Sequence, residues 1–305
     1  MKAVTEIGPS DPTRHFHHGE FPVDVLRRLK GSRTVSVCLP ARNEAMTVGD
    51  IVTTLRRELL EHGVIDEIIV IDDHSTDRTA AVARAAGAQV VASRDLLGDH
   101  GVGHGKGEVL WKSLYATQGD LVVWCDADIR EFDTRFVRGV LGPLLADDDV
   151  YFSKGYYRRH ESNGSGGGRV TELVARPLLS LFFPHLSSIR QPLSGEYGGR
   201  RDALEQVPFV CGYGVDIGLL IDLSARFGMS GIAQVDLDIR HHRNRPLSEL
   251  SPQAMAVTQT ILHRANPELV GTSGLLLRPE EAALRIDLDE RPALVELESY
   301  LLRSA

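Results

Sequence analysis

Along the first half of the chain, apolar and polar positions switch regularly between two periods. "TVSVCLPA" (34–41) is a β-branched apolar run and predicts a buried strand. "EAMTVGDIVTTLRRELLEH" (44–62) spaces its apolar residues as a helix does, with Asn43 or Thr47 available as a cap. "DEIIVIDD" (66–73) predicts a second strand and "STDRTAAVARAAG" (75–87) a second helix. A Ser/Thr/Asp cluster opens that helix and Gly87 closes it. "AQVVAS" (88–93) predicts a third strand, "GKGEVLWKSLYAT" (105–117) a third helix behind a glycine loop, and "DLVVWCDAD" (120–128) a fourth strand. A short helix is expected at "PVDVLRRLKG" in the polar stretch before them. This alternation means an α/β domain with a mainly parallel sheet. Ligands of such sheets bind outside the carboxyl ends of the strands. "LPARNE", "DDHSTD" and "CDADIRE" all fall at such ends, so three polar clusters should converge on one edge.

The second half is less regular. A glycine-rich loop (164–168) precedes a helix in "GGGRVTELVARPLL", and "QPLSGEYGGRRDAL" reads as another loop followed by a helix. "PFVCGYGVDIGLLIDLSARFG" leads into a helix, "IAQVDLDIRHH" is a late strand, and the basic run "HHRNR" follows it. The charged tail, from about residue 279, is expected to be helical. No internal repeat or long low-complexity segment is visible.

Composition narrows the classes. Of 305 residues, 42% are hydrophobic, enough for a substantial core. The formal net charge of -8 argues against a nucleic-acid partner. Cys38, Cys125 and Cys211 are odd in number, far apart and set in apolar runs, which predicts buried reduced thiols and a cytoplasmic protein. The N-terminus lacks the apolar core of a secretory signal. No apolar run reaches the roughly 18–20 residues of a membrane span, so no membrane partner is expected.

Candidate chemistry sits in the polar clusters. Asp126 and Asp128, at the end of a buried run, suit a hard divalent cation that also holds a diphosphate, with magnesium favoured and manganese possible. The competing reading is a solvated turn. Pro40 and Ala41 could present backbone to a flat ring and Glu44 could accept from a hydroxyl or amide; alone, "LPARNE" reads first as a helix start. Asp72 or Asp73 could accept from a nucleoside and Ser75 could contact its base, while Ser75 or Thr76 could equally cap the helix. Lys106 stands among glycines before a helix, within reach of a phosphate or nucleotide. Gly168, Arg169 and Thr171 at a helix N-terminus make an anion site. His242 could be a third metal ligand beside Asp126 and Asp128, although a basic run is more often a solvated face.

"PARNEA", "IDDHSTDRT", "GKGEVLWKSL" and "CDADIREFD", in that order, resemble family-2-like glycosyltransferases of the GT-A fold. "GGGRVTELVARPLL", "QPLSGEY", "GYGVDIGLLID" and "IAQVDLDIRHHRNRPLSEL" resemble the glucosyl-3-phosphoglycerate synthases, whose close relatives are the mannosyl-3-phosphoglycerate synthases. The resemblance implies a Rossmann-like, mainly parallel sheet flanked by helices. It divides the chain into an N-terminal extension (1–32), a nucleotide-sugar-binding half (33–150), an acceptor-binding half (151–265) and a C-terminal helical tail (266–305). It also implies a metal-dependent, retaining hexosyltransferase, with a nucleoside-diphosphate sugar as donor and 3-phosphoglycerate as acceptor. Glucose is favoured; GDP-mannose as donor, or another small phosphorylated acceptor, is the alternative. Carried over by motif, Pro40, Ala41, Glu44, Asp73, Ser75, Lys106, Asp126 and Asp128 would hold the nucleotide-sugar. Gly168, Arg169, Thr171 and Asn244 would hold the acceptor, Asp128 and His242 the metal, and Asp126, Asp128 and Asp216 would act in catalysis. Asp216 stands where a Glu is expected, and "DDHST" replaces a more usual "DSGST". The family also implies a homodimer.

Overall fold

The apolar runs of the first half all pair into one sheet. The computed structural model describes residues 11–160, 168–241, 246–271 and 274–304. Its strands are β1 (Arg14–His17), β2 (Val35–Ala41), β3 (Glu67–Asp72), β4 (Gln89–Ala92), β5 (Leu121–Trp124), β6 (Phe152–His160), β7 (Tyr197–Arg200), β8 (Phe209–Val210) and β9 (Ile232–His241). Three two-residue strands follow, β10 (Leu275–Leu276), β11 (Leu284–Arg285) and β12 (Glu290–Arg291). Eight strands form one sheet in the order β1-β9-β6-β7-β5-β2-β3-β4. Within it β7 alone pairs antiparallel, with both β5 and β6; every other pairing is parallel. The expected mainly parallel α/β sheet is what forms. Its central strands read as unbroken apolar runs because helices cover both faces.

The helices are α1 (Val23–Lys30), α2 (Val48–Leu55), α3 (Thr79–Ala86), α4 (Lys106–Ala116), α5 (Arg135–Ala146), α6 (Arg176–Phe182), α7 (Arg201–Leu204), α8 (Val215–Phe227), α9 (Leu247–Ala265) and α10 (Glu298–Ser304). Buried residues of α1, α2 and α5 share a core with one sheet face, through Leu26, Ile51 and Val140 among others. On the other face the core takes Trp111 of α4, Leu219 of α8 and Val257 of α9. Successive strands run outward from β2 through β3 to β4. The chain then returns to place β5 on the other side of β2. That reversal leaves a crevice at the carboxyl ends of β2 and β5, where doubly wound folds bind ligands.

Four local readings change. The fourth strand stops at Trp124, because its four side chains are all buried and the carboxylates of Asp126 and Asp128 cannot follow them. Helix α2 starts at Val48 without a side-chain cap. The Thr47 hydroxyl donates instead to the carbonyl of Ala127 (2.6 Å), and the Asn43 side-chain oxygen accepts from the Thr76 N–H (2.8 Å). Helix α3 starts at Thr79, since Ser75 and Asp77 are occupied with the 43–45 loop. Gly87 ends it in the left-handed region, φ 102°, as read. The tail is helical only at Leu294–Glu296 and in α10. Upstream, β11 pairs with β10 and β12 with β8 instead, and Pro292 bars a helix from running on into residue 294. Strands β1, β6 and β7 had no counterpart in the sequence reading. β1 lies within residues 11–32 and forms an edge of the sheet beside β9.

The same tail closes over α4. Trp111 Nε1 donates to the Pro292 carbonyl (2.8 Å). Arg291 donates to Glu108 Oε2 and to the His100 carbonyl (both 2.5 Å). Glu108 also pairs with Lys112 (2.9 Å), and neither side chain is exposed. Lys112 in turn donates to the carbonyls of Ser93 (2.9 Å) and Val102 (2.8 Å). A fully buried ion pair is tolerated only when its remaining hydrogen-bonding capacity is used, and here it ties the 93–102 loop and the tail to one helix. The three cysteines are free and buried as expected, and burial pushes the Cys38 thiol up to about 12. Among the described residues no helix is long and apolar enough to cross a membrane.

Gly107 sets the contact between α4 and β8. A Cβ there would run into the Val210 carbonyl and the Val215 side chain. Gly107→Ala should therefore lower stability by about 2–3 kcal/mol, as overpacking of a tight contact does. Urea unfolding would measure it; a midpoint equal to wild type would mean that α4 can lift off β8 freely.

Candidate active site

The crevice at the switch point opens into a cavity of about 480 Å³, within the size range of small-ligand sites. Each wall comes from a strand end or helix start that the sheet order brings together. The end of β2 supplies Pro40 and Ala41, and the turn after it supplies Glu44. Asp73 follows β3, its N–H bonded to the Ala41 carbonyl (2.8 Å). Gly105 and Lys106 open α4, and Asp126 and Asp128 follow β5. From the second half come Gly168, Arg169 and Thr171, at the start of the helical run that becomes α6. Asp216 lies in the first turn of α8.

At the centre is Arg240, 4% exposed, near the end of β9. Its Nη2 reaches Asp128 Oδ1 (2.9 Å), and its Nη1 reaches Glu196 Oε1 (2.6 Å), the Tyr157 hydroxyl (2.9 Å) and Asp126 Oδ2 (3.4 Å). A bulge aims it. Register between β6 and β9 shifts between Tyr156 and Arg158, and Asp238 adopts φ 64°. Bulges beside active sites commonly redirect a side chain. Arg135 holds this one by donating to the carbonyls of Leu237 (3.0 Å) and Ile239 (2.6 Å).

Lys106 extends the network, with its ammonium 3.4 Å from Asp126 Oδ1 and 3.2 Å from Asp216 Oδ1. The Tyr197 hydroxyl also donates to Asp216 Oδ1 (2.7 Å). Behind Tyr197, the Lys154 ammonium sits 4.2 Å from the ring centre and donates to the Ser194 carbonyl (3.0 Å). Gly195 is required where it is, because any Cβ would strike the Asp126 carboxylate.

These contacts set protonation. Burial works to raise the Asp126 carboxyl, but Lys106 and Arg240 outweigh it and hold it at about 2. Burial opposes the charge on Lys106, yet Asp126 and Asp216 raise its ammonium well above the ordinary value. Burial lowers the Lys154 ammonium to about 8, against the pull of Asp216, Glu196 and Asp126. Glu196 goes the other way: burial raises it to about 7, against the pull of Arg240. One guanidinium shared by three carboxylates does not fully compensate the most buried of them.

All but one of the described residues assigned to ligands from sequence line this one cavity. The exception is Ser75, whose hydroxyl oxygen accepts from the Asn43 N–H (3.0 Å) and so fixes the loop behind the wall. His242 and Asn244 lie outside the described residues. Arg240, Glu196, Tyr157, Tyr197 and Lys154 had no assigned role. Arg240 stood unweighed in "DLDIRHH", because the bulge that turns it inward breaks the alternation. Glu196 carried a signal in "SGEYGG", an acid at the start of an otherwise small and apolar strand.

For a divalent ion, Asp126 and Asp128 offer hard carboxylate oxygens at the cavity, and Asp128 is 41% exposed. That donor set fits magnesium or manganese, which keep one or two protein carboxylates and complete their shell from phosphate and water.

The family model for glycosyl transferase family 2 matches residues 36–210. A glucosyl-3-phosphoglycerate synthase of Petrotoga mobilis is 42% identical over 94% of this chain and 95% of its own length. The synthase of the same name from Mycolicibacterium smegmatis is 51% identical, covering 78% of this chain and 80% of its own. The chain belongs to the glucosyl-3-phosphoglycerate synthase family. A Mycobacterium tuberculosis family member, crystallised with Mn2+, UDP-glucose and phosphoglyceric acid, superposes with a TM-score of 0.86. It is 42% identical and matches 93% of this chain and 99% of that one. A mannosyl-3-phosphoglycerate synthase from Rubrobacter xylanophilus also gives 0.86, at 38% identity over 93% of this chain and 97% of that one. The GT-A reading made from the motifs agrees with both.

Protonation of Glu196 favours the folded protein, since its native value of about 7 exceeds the ordinary 4.5. Its contribution to stability is complete below about 4.5 and fades as pH climbs through 7. Glu196→Gln should flatten the fall in urea midpoint between pH 4.5 and 7. Equal slopes in both proteins would mean that Arg240 keeps Glu196 ionised throughout.

Proposed function

We propose that the protein transfers glucose from UDP-glucose to 3-phosphoglycerate, with retention of anomeric configuration, giving glucosyl-3-phosphoglycerate and UDP. The observation that carries this reading is one cavity with two differently charged ends. Lys106 and Arg240 flank Asp126 and Asp128 at the strand ends. Arg169 and the helix start at Gly168–Thr171 face them from the second half. The first end suits a nucleoside diphosphate with its metal, and the second suits a free phosphate.

In this reading Pro40, Ala41, Glu44 and Asp73 hold the nucleoside, and Ser75 supports them through the Asn43 loop. Asp126 and Asp128 take the ribose, diphosphate and metal side. Asp128 would hold the ion with His242; magnesium is favoured and manganese possible, since both accept carboxylate, phosphate and water oxygens. A bound ion supplies positive charge to the diphosphate as it leaves. Arg240 and Lys106 add fixed positive charge in a partly buried site, where it acts more strongly than in water. Gly168, Arg169 and Thr171 bind the acceptor phosphate, with Asn244 a further contact. The acceptor has one free hydroxyl, on C2. Its oxygen bonds to the anomeric carbon on the face from which UDP departs, and its proton passes to the leaving phosphate oxygen. Asp216 serves here by setting Lys106, since the oxygen that takes the Tyr197 hydroxyl also lies against that ammonium. A covalent sugar trapped on Asp216 would overturn same-face attack. From the family resemblance, we also infer a cytoplasmic homodimer.

Release of nucleoside diphosphate from UDP-glucose and from GDP-mannose, with magnesium and with or without 3-phosphoglycerate, tests the assignment. Release should need 3-phosphoglycerate, favour UDP-glucose, and fall at least about a hundredfold in Asp128→Ala. Arg169→Ala should raise the KM for 3-phosphoglycerate about 10- to 100-fold, matching the roughly 1.5–3 kcal/mol of a charged hydrogen bond. Release that ignores 3-phosphoglycerate would discard the acceptor, and preference for GDP-mannose would move the protein to the mannosyl branch.

A further inference from the structure

At the edge of the cavity formed by β3 and the loop before α4, two histidines with no part in the transfer described above stand beside one residue of the nucleoside's wall. Asp73, His74 and His104 each bring one ligand-capable atom within 4.8 Å of the other two. Asp73 is 5% exposed and lines the cavity. Its Oδ1 lies 3.0 Å from His74 Nδ1, and its Oδ2 accepts from the Gly105 N–H (3.2 Å). The rings of His74 and His104 lie 4.4 Å apart between centres. We propose that Asp73, His74 and His104 form a second metal site, selective for a zinc-class transition ion, whose occupation excludes the donor nucleotide.

Three features support it. Two imidazoles and one carboxylate suit zinc, cobalt or nickel better than magnesium, which prefers oxygen throughout. In a tetrahedral site, bonds of about 2.0–2.2 Å to zinc put adjacent ligand atoms roughly 3.3–3.6 Å apart. The Asp73–His74 pair, now at 3.0 Å, needs to open by only a few tenths of an ångström to reach that spacing. The remaining ligand can adjust, because His104 is exposed and lies between Gly103 and Gly105, both at positive φ (55° and 95°). The local charge is also permissive. Lys106, next along the chain, turns its ammonium to Asp126 and Asp216. By contrast the other three-residue group found among the described residues, His17, His18 and Asp238, has the Arg158 guanidinium 3.8 Å from Asp238 Oδ1, a cation already at its acid.

Backbone geometry points the same way. His74 adopts φ 58°, a left-handed conformation uncommon outside glycine, though histidine enters it more readily than most side chains. Such residues persist where the surroundings hold them and are concentrated at functional sites. An ion bound to Asp73 would remove a carboxylate from the nucleoside's wall and fill that end of the cavity. Competition with the donor follows from this, and that part alone rests on the functional reading above.

Calorimetric titration of the full chain with zinc chloride, with and without UDP, tests both parts. His104→Gln removes an exposed loop ligand, and His74→Asn suits the left-handed backbone, so neither threatens the fold. With magnesium in excess, to occupy the Asp128 site and the UDP phosphates, wild type should show one zinc-binding event that weakens at least tenfold in each variant and weakens in wild type as UDP is added. With magnesium as the catalytic ion, His104→Gln should keep its transfer rate while losing inhibition by zinc. Superimposable isotherms for wild type and both variants would overturn the site. Zinc affinity indifferent to UDP would overturn the competition, and neither result depends on which sugar or acceptor the enzyme uses.

Discussion

The site depends on one buried guanidinium. Arg240 is shared among Asp126, Asp128 and Glu196, and without it those three carboxylates would crowd one end of a sheet with Lys106 as the nearest cation. Burying one charge without a partner costs several kcal/mol, so this arginine must be placed before the acids can be. Its placement is a backbone matter. The bulge at Asp238 turns the strand end, and Arg135 satisfies the carbonyls that the bulge leaves exposed. A cation positioned this way costs no reorganisation when an anionic ligand arrives, which is the condition for useful electrostatic stabilisation.

Around that centre, the sheet order does the gathering. Asp73, Lys106 and Asp126 are well separated in sequence, and they converge because β2, β3 and β5 present their carboxyl ends at one crevice. Loop-to-loop bonds then fix the edge. The Thr47 hydroxyl holds the carbonyl of Ala127, midway between the two aspartates, and the 43–45 and 75–77 loops bond reciprocally. The polar residues of those loops therefore support one another, which explains why Ser75 neither caps its helix nor reaches the cavity wall.

The parallel half of the fold was legible because central strands buried on both faces announce themselves as apolar runs, and because each cluster followed such a run. The same logic located Asp126, Asp128, Lys106 and Asp73. It failed where local pattern says little. Tyr197–Arg200 is a short, glycine-rich strand whose identity comes only from pairing between β5 and β6. Arg240 was hidden by an irregularity that alternation cannot foresee. Glu196 and Lys154 were invisible because a charged residue inside a strand reads as an interruption until its partners are known. The tail was misread from its charge, since its backbone partner, β8, lies some eighty residues earlier.

The clamp of Arg291 and Pro292 over α4 has a consequence for synthesis. Lys106 lies in the first half of the chain, yet the helix that carries it gains its outer contacts only after residue 292 has left the ribosome. Until then Glu108 has Lys112 but not Arg291, and the indole N–H of Trp111 lacks its carbonyl. Any product ending before that point could form most of the sheet while leaving the helix behind Lys106 unclamped. The half of the chain that carries Lys106 is thus not an autonomous unit of sequence, because residues encoded far downstream complete its packing.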